Sequence, residues 1–166
     1  EGLNIKDIDY DSYMSVFSTV FQDYKLFAFS LQENVALGLP QDKAKVESAL
    51  RRVGFGDRLD RLKNGVDTAV YKNFDAEGFE PSGGESQKIA MARALYKNAP
   101  VFVLDEPTAA LDPRAEFEIY QHFNELVEGK TTMYISHRLS STKFCDKIAV
   151  FDHGHIVEYG THDELM

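Results

Sequence analysis

The stretch Val101-Phe102-Val103-Leu104-Asp105-Glu106-Pro107 is an apolar run that ends in two carboxylates. Pro100 precedes it, and an uninterrupted apolar run of this length predicts a fully buried strand. Such a strand delivers Asp105 and Glu106 to the edge of a sheet. One carboxylate can then hold the hydration shell of Mg²⁺ while the other orients or deprotonates a water. On this pattern alone, a strand that ends in two solvated acids is an equal alternative.

The rest of the chain alternates apolar runs with helical patterns, which predicts an α/β fold with a largely parallel sheet. Besides the run at 101–104, we expect strands at 14–21 and 131–135 and a hairpin of 147–151 with 155–158. We expect a loop at 71–84. Helices are expected from residue 41, around 59–62, after 84, at 113–127 and after Ser140, with a capping box at Thr161–Glu164 opening a last helix.

Composition restricts the function. The 166 residues carry a formal net charge of −9, which argues against a nucleic-acid binder because such proteins show a basic face. The single cysteine, Cys145, excludes an intramolecular disulfide, and a small half-buried residue is a better reading of it than a nucleophile. No apolar run approaches the ~18 residues of a membrane-spanning helix. The first residues have no signal-peptide organisation, and both ends are expected to be cuts within a longer protein.

Further polar residues follow the predicted strands and precede one predicted helix. Ser82-Gly83-Gly84 offers backbone N–H groups at a positive helix end, which suits an anion. By itself, a glycine loop with a serine N-cap explains that motif better. Gln22 could be an ordinary turn residue. His137 could donate to a phosphate, although a lone histidine at a strand end is more often structural.

Taken together, these positions form an ordered set. It comprises Val20-Phe21-Gln22, Ser82-Gly83-Gly84-Glu85-Ser86-Gln87, Val103-Leu104-Asp105-Glu106-Pro107-Thr108, Ala110-Leu111-Asp112 and Ile135-Ser136-His137-Arg138. In order and spacing, the set resembles the ATP-binding domains of ABC transporters over essentially the whole chain. The resemblance implies a P-loop NTPase-like (RecA-like), mostly parallel sheet with an inserted helical subdomain. Residues 1–23 and 83–166 would form the ATP-binding core, and residues 24–82 the helical subdomain.

The resemblance also implies roles for individual residues, with ATP and Mg²⁺ as ligands. Asp105 is similar to the aspartate at the magnesium, and Glu106 to the general base. Gln22 resembles the glutamine that senses the metal and the water and couples to the membrane domain. His137 resembles the switch histidine that contacts the γ-phosphate.

A second group of positions resembles the dimer contacts of the family. Ser82, Gly83, Gly84 and Glu85 match the signature motif, which grips the γ-phosphate of ATP held by a partner domain. Asp112 matches the loop at the dimer interface. The commonest signature is Leu-Ser-Gly-Gly-Gln, so Pro81 and Glu85 depart from it, and Glu85 adds a negative charge beside a phosphate site.

One family motif is not found in these 166 residues. The phosphate-binding loop reads Gly-x-x-x-x-Gly-Lys-Ser/Thr, whereas Gly129-Lys130-Thr131 is preceded by Asn124 at the first glycine position and leads into a strand. We therefore expect the fragment by itself neither to bind ATP tightly nor to hydrolyse it. The strand of that loop would lie between those at 131–135 and 147–151, so two open strand edges are expected.

Several functions fit an ATPase of this type. The stretches 27–38 and 157–165 resemble exporter-type domains, which implies a second nucleotide-binding domain and a transmembrane domain as partners at the cytoplasmic face of the cell membrane. A soluble ABC-type ATPase of DNA repair or translation is the alternative, although such proteins carry long insertions. A non-catalytic interaction domain is disfavoured because it would have no chemical need for Glu106 and His137.

Overall fold

The structure is a computed structural model, and it describes residues 2–107, 127, 129–137, 143 and 145–166. Asp112, the expected short helix after Ser140 and almost all of the expected helix at 113–127 lie outside the described residues. The described helices are α1 Tyr10–Ser15, α2 Leu31–Ala36, α3 Lys43–Arg52, α4 Gly56–Arg61, α5 Gly83–Lys97 and α6 His162–Leu165. The strands are β1 Phe17–Val20, β2 Val101–Asp105, β3 Thr131–Ile135, β4 Ile148–Asp152 and β5 His155–Gly160.

Three of the strands form a parallel sheet in the order β1-β2-β3. Val20 is in register with Leu104, and Asp105 is in register with Ile135. Because the strands are parallel, the residues that follow Val20, Asp105 and Ile135 emerge at the same edge. The expected α/β architecture with a parallel sheet is confirmed, and this edge holds the polar residues considered below.

The prediction that β2 is fully buried is wrong. Phe102 and Leu104 are buried, whereas the alternate residues Val101, Val103 and Asp105 are only partly buried. Side chains of a strand point alternately to the two faces, so only one face of β2 is fully covered by the described residues. An apolar run could not distinguish this half-covered strand from one covered on both faces.

The last two strands form a separate antiparallel hairpin, as predicted around Gly154. Among the described strands, β3 pairs only with β2 and β4 pairs only with β5, so each has an open edge. Met133, Ile135 and Phe151 are 57%, 50% and 66% exposed. The two expected open edges are therefore present.

The strand predicted at 14–21 is only partly correct. Residues up to Ser15 form helix α1, because the Asp9 side chain accepts a hydrogen bond from the Ser12 N–H (3.0 Å) and caps the helix. The strand begins at Phe17, where pairing with Val101 begins. The aromatic and β-branched composition indicated a strand, but it did not locate where pairing starts.

Helices α2 to α5 and the segments between them make up the helical part of the chain. Its longest helix, α5, contacts α2, α3 and β1. The predicted helix from residue 41 is present as α3, and the one around 59–62 as α4. Helix α2 was not predicted, although Ser30 and Glu33 form a capping box that opens it. Leu31, Val35, Val46, Leu50 and Ile89 are completely buried in one cluster that also includes sheet residues. Within the described ranges, no helix has the length and apolar character needed to cross a bilayer.

Candidate functional site

Three predicted site residues meet at the carboxyl edge of the parallel sheet. Oε2 of Glu106 accepts a hydrogen bond from Nε2 of Gln22 at 3.1 Å, and Oε1 of Glu106 lies 2.7 Å from Nδ1 of His137. The Glu106 side chain is 21% exposed and that of His137 is 65% exposed. The carboxylate is therefore held from both sides while the histidine stays accessible to solvent.

The backbone at Glu106 explains why its carboxylate turns across the strand ends. Glu106 has φ of +46°, an uncommon conformation for a residue with a side chain, costing about 1–2 kcal/mol. Its N–H donates to the carbonyl of Ile135 at 3.0 Å, and its own carbonyl accepts from Nε2 of Gln87 at 3.2 Å. These two bonds hold the strained conformation in place, a pattern that is common at functional sites.

Asp105 offers a carboxylate that is suitable for magnesium. It is the last residue of β2, it is partly buried, and no described side chain pairs with it. In the described part of the chain, no three His, Cys, Asp or Glu residues gather around one point. Mg²⁺ in nucleotide sites is held by one or two carboxylates together with phosphate oxygens and water. A single carboxylate such as Asp105 fits that ligand set. The described residues do not form a site that would hold the metal with protein ligands alone.

The predicted signature residues form the start of α5. The Ser82 hydroxyl accepts from the Glu85 N–H at 3.2 Å, and the Glu85 carboxylate accepts from the Ser82 N–H at 2.8 Å. No described residue accepts from the N–H groups of Gly83 and Gly84, which leaves two donors at the positive end of a long helix. The serine cap and the anion site are therefore compatible readings of one motif.

Glu85 does not leave its charge unpaired beside these donors. Oε1 of Glu85 lies 3.0 Å from Nε of Arg58 on α4, as an ion pair without hydrogen-bond alignment. The added negative charge foreseen from the sequence is therefore balanced within the chain. Sequence spacing gave no sign of this pairing, because Arg58 belongs to a different helix.

The signature residues and the Glu106 cluster do not contact each other directly. A cleft of about 400 Å³ is lined by Gln22 of the cluster and by Gly83 of the signature. Tyr24 lines this cleft, and its hydroxyl donates to the carbonyl of Gly83 at 3.1 Å. Burial, with a smaller contribution from Tyr71, raises the pKa of Tyr24, so the hydroxyl keeps its proton at neutral pH.

Comparison with known proteins identifies the family. A family model described as ABC transporter matches residues 1–109, more than half of the chain. The chain belongs to the ABC transporter family.

Relatives of this ABC family chain include exporters. It is 40% identical over 166 residues to an ATP-dependent lipid A-core flippase of Burkholderia orbicola, and 43% identical over 169 residues to a subtilin transport ATP-binding protein of Bacillus subtilis. The alignments cover 100% and 99% of this chain but only 27% of each relative. A bacterial Atm1-family ABC exporter with ATP bound superposes with a TM-score of 0.87 at 35% identity, over 99% of this chain and 28% of that one.

Two residues of this ABC family chain shape the segment after Gln22 and were missed from the sequence. Asn34 is completely buried; its amide accepts from the Phe27 N–H at 2.9 Å and donates to three carbonyls, including that of Phe27. Arg93 on α5 donates to the carbonyls of Asn34 at 2.9 Å and Lys25 at 3.2 Å. The available signal was the capping pair Ser30 and Glu33, which places Asn34 near the start of a helix, whereas no local pattern marks Arg93.

Proposed function

We propose that this chain is part of an ATP-binding and ATP-hydrolysing domain that powers export of a solute across a membrane. The observation that carries the proposal is the contact of Glu106 with both Gln22 and His137, beside Asp105, at the carboxyl edge of a parallel sheet in an ABC family chain. Ligand sites of open α/β sheets lie at that edge. The exporter relatives support transport as the process that hydrolysis drives.

The chemistry assigned to this chain is general-base catalysis. Bound MgATP supplies the γ-phosphoryl group that is transferred to water. Asp105 would hold the metal, and Glu106 would orient the water and take its proton. Gln22 and His137 orient the Glu106 carboxylate. The His137 side chain is exposed, so its ring would also be able to contact the phosphate.

The signature residues, Ser82 to Glu85, are assigned to a second ATP molecule and not to the one hydrolysed at Glu106. Gly83 and Gly84 point their N–H groups out of the helix α5 start, and no contact of Ser82 or Glu85 reaches the Glu106 cluster. We propose that Ser82 to Glu85 bind the γ-phosphate of ATP held by a second nucleotide-binding domain, packed head to tail, with Asp112 at the same interface. The transmembrane domain of the transporter is the other proposed partner, which sets the location at the cytoplasmic face of the cell membrane.

The proposed organisation divides the chain in two. Residues 1–23 and 83–166 belong to the ATP-binding core, and residues 24–82 to a helical subdomain that ends at the signature. The assignment is supported by the position of α2, α3 and α4 in sequence between β1 and α5.

Hydrolysis is assigned to the intact domain and not to the 166 residues alone. The sequence contains no Gly-x-x-x-x-Gly-Lys-Ser/Thr, and the backbone amides and lysine of that motif supply most donors to the triphosphate. Isothermal titration of the 166-residue chain with MgATP should detect no micromolar binding. Tight binding would show that the described residues suffice for the nucleotide.

The experiment that tests the function is phosphate release by the full-length protein in lipid vesicles. Glu106→Gln should lower kcat about 10²- to 10⁴-fold while leaving ATP binding intact, because the amide cannot accept the proton of water. Glu47→Gln, which removes an exposed carboxylate from α3, serves as the matched control and should retain activity. Unchanged hydrolysis in Glu106→Gln would contradict the catalytic role of Glu106. Hydrolysis that moves no solute across the vesicle membrane would contradict the assignment to export.

A further inference from the structure

A second cleft lies on the helical part of the chain, apart from the Glu106 site. It measures about 550 Å³ and runs between α4 and the segment 71–80. Its walls include Arg58 and Arg61 from α4, with Lys63, Lys72, Glu77 and Phe79. None of the residues assigned to hydrolysis lines it, and its volume is within the range of small-molecule sites.

The charges around this cleft do not cancel. Four cations line it against two carboxylates, in a chain whose net charge is −9. Nζ of Lys63 pairs with Glu77 at 3.0 Å, and Glu80 accepts from the backbone N–H of Lys72 at 3.2 Å. The side chains of Arg61 and Lys72 have no ion-pair partner among the residues that the structure describes. The cleft therefore has unpaired positive charge.

A buried polar atom also lacks a partner at this cleft. Thr68 is 5% exposed, and its hydroxyl makes no hydrogen bond. A buried hydroxyl without a partner costs about 1–3 kcal/mol, so a bound acceptor that reached it would recover part of that cost. The amide of Asn64 is a further donor in the wall.

The cleft is already shaped before any ligand arrives. At Gly78 a Cβ atom would lie 2.2 Å from the carbonyl oxygen of Tyr71, so only glycine allows the backbone to pass this closely. The N–H of Tyr71 donates to Phe79 at 2.8 Å, and the N–H of Phe79 donates to Ala69 at 3.0 Å. Leu62 and the Phe79 ring, which is 6% exposed, also line the cleft. A preformed wall reduces the ordering cost of binding.

We propose that this cleft binds a small molecule that carries two or more anionic groups, phosphate or carboxylate. Arg61 and Lys72 bind the anionic groups, and the Thr68 hydroxyl donates to one of them. Arg58 lines the cleft, and its guanidinium stacks on Phe79 at 5.3 Å and contacts Glu85 at 3.0 Å. A ligand in the cleft would therefore lie near the start of α5. The site is independent of the nucleotide chemistry at Glu106.

The test is isothermal titration of the full-length protein with pyrophosphate and, separately, with citrate, both without Mg²⁺. Arg61→Gln/Lys72→Gln should weaken binding of the recognised anion about tenfold or more, since charge-assisted bonds are lost. Lys6→Gln/Lys25→Gln removes two exposed cations elsewhere and should not weaken it. The anion that binds distinguishes a phosphate ligand from a carboxylate ligand.

A variant that gains affinity separates binding from folding defects. Glu77→Gln removes a carboxylate from the cleft and frees Lys63, so it should tighten binding of the same anion about threefold. Misfolding cannot produce that result. Failure of both anions to bind at millimolar concentration, equal loss in the two double variants, or no gain in Glu77→Gln would each overturn the proposal.

Discussion

Nδ1 of His137 lies 2.7 Å from Oε1 of Glu106, so the residue pair joins the ends of two neighbouring strands across 31 positions of sequence. Gln22 donates to the other carboxylate oxygen of Glu106, from a third strand end. Since both oxygens are engaged, Glu106 has one orientation, and its uncommon backbone conformation is held by Ile135 and Gln87. Such a carboxylate is already oriented for the proposed role of general base before a substrate binds.

Removal of the histidine should release one side of this carboxylate. In the full-length protein, His137→Ala should lower kcat about tenfold to 10²-fold with a smaller change in KM, because orientation of the proposed base Glu106 is lost while the phosphate contacts other than that of His137 persist. His137→Gln, which can still donate to Glu106, should recover part of the rate. Steady-state phosphate release measures both constants. A change confined to KM would show that His137 acts in binding and not in positioning Glu106.

Gly78 should be the least replaceable glycine of the helical part. Gly78→Ala places a Cβ atom 2.2 Å from the carbonyl oxygen of Tyr71 and 2.9 Å from that of Asp75. Backbone must shift, so the free energy of unfolding should fall by about 1–3 kcal/mol. Gly56→Ala is the control, since its nearest contact is the flexible end of Arg51 at 3.3 Å. Urea unfolding measures both, and equal stabilities would contradict the close approach.

The buried amide of Asn34 should also be essential to stability. Asn34→Ala leaves the Phe27 N–H and several carbonyls without their partner, which should cost about 1–3 kcal/mol of unfolding free energy. Asn64→Ala changes an exposed asparagine that makes no capping bond, and its effect should stay within about 0.5 kcal/mol. Thermal or urea unfolding distinguishes the two variants, and a neutral Asn34→Ala would refute the buried network.

The open strand edges should make the 166-residue chain self-associate. Met133 and Phe151 are exposed on β3 and β4, and unpaired edges template further pairing. Sedimentation velocity over a concentration series should show oligomers that Met133→Lys/Phe151→Lys suppresses. Met14→Lys on α1 provides a control away from both edges. A wild-type chain that remains monomeric at every concentration would contradict this expectation.

Elements with a strong local pattern could be predicted from the sequence. Apolar runs located β2, β3 and the hairpin, and helical periodicity located α3 and α5. Helix α1 was not predicted, because the Asp9 cap extends a helix into a stretch whose composition indicates a strand, and the short helix α2 was not predicted either. Burial of β2 on both faces was also a wrong inference, because an apolar run does not report which layers cover it.

The family can be recognised from the order of the motifs around Gln22, Ser82, Asp105 and His137 along the chain. Which side chains meet depends on the fold. Gln22 and Glu106 are 84 positions apart, and their contact depends on the parallel order and register of β1, β2 and β3. The pairing of Glu85 with Arg58 likewise depends on how α4 packs beside α5. Periodicity describes one element at a time, whereas these contacts arise from the arrangement of several elements.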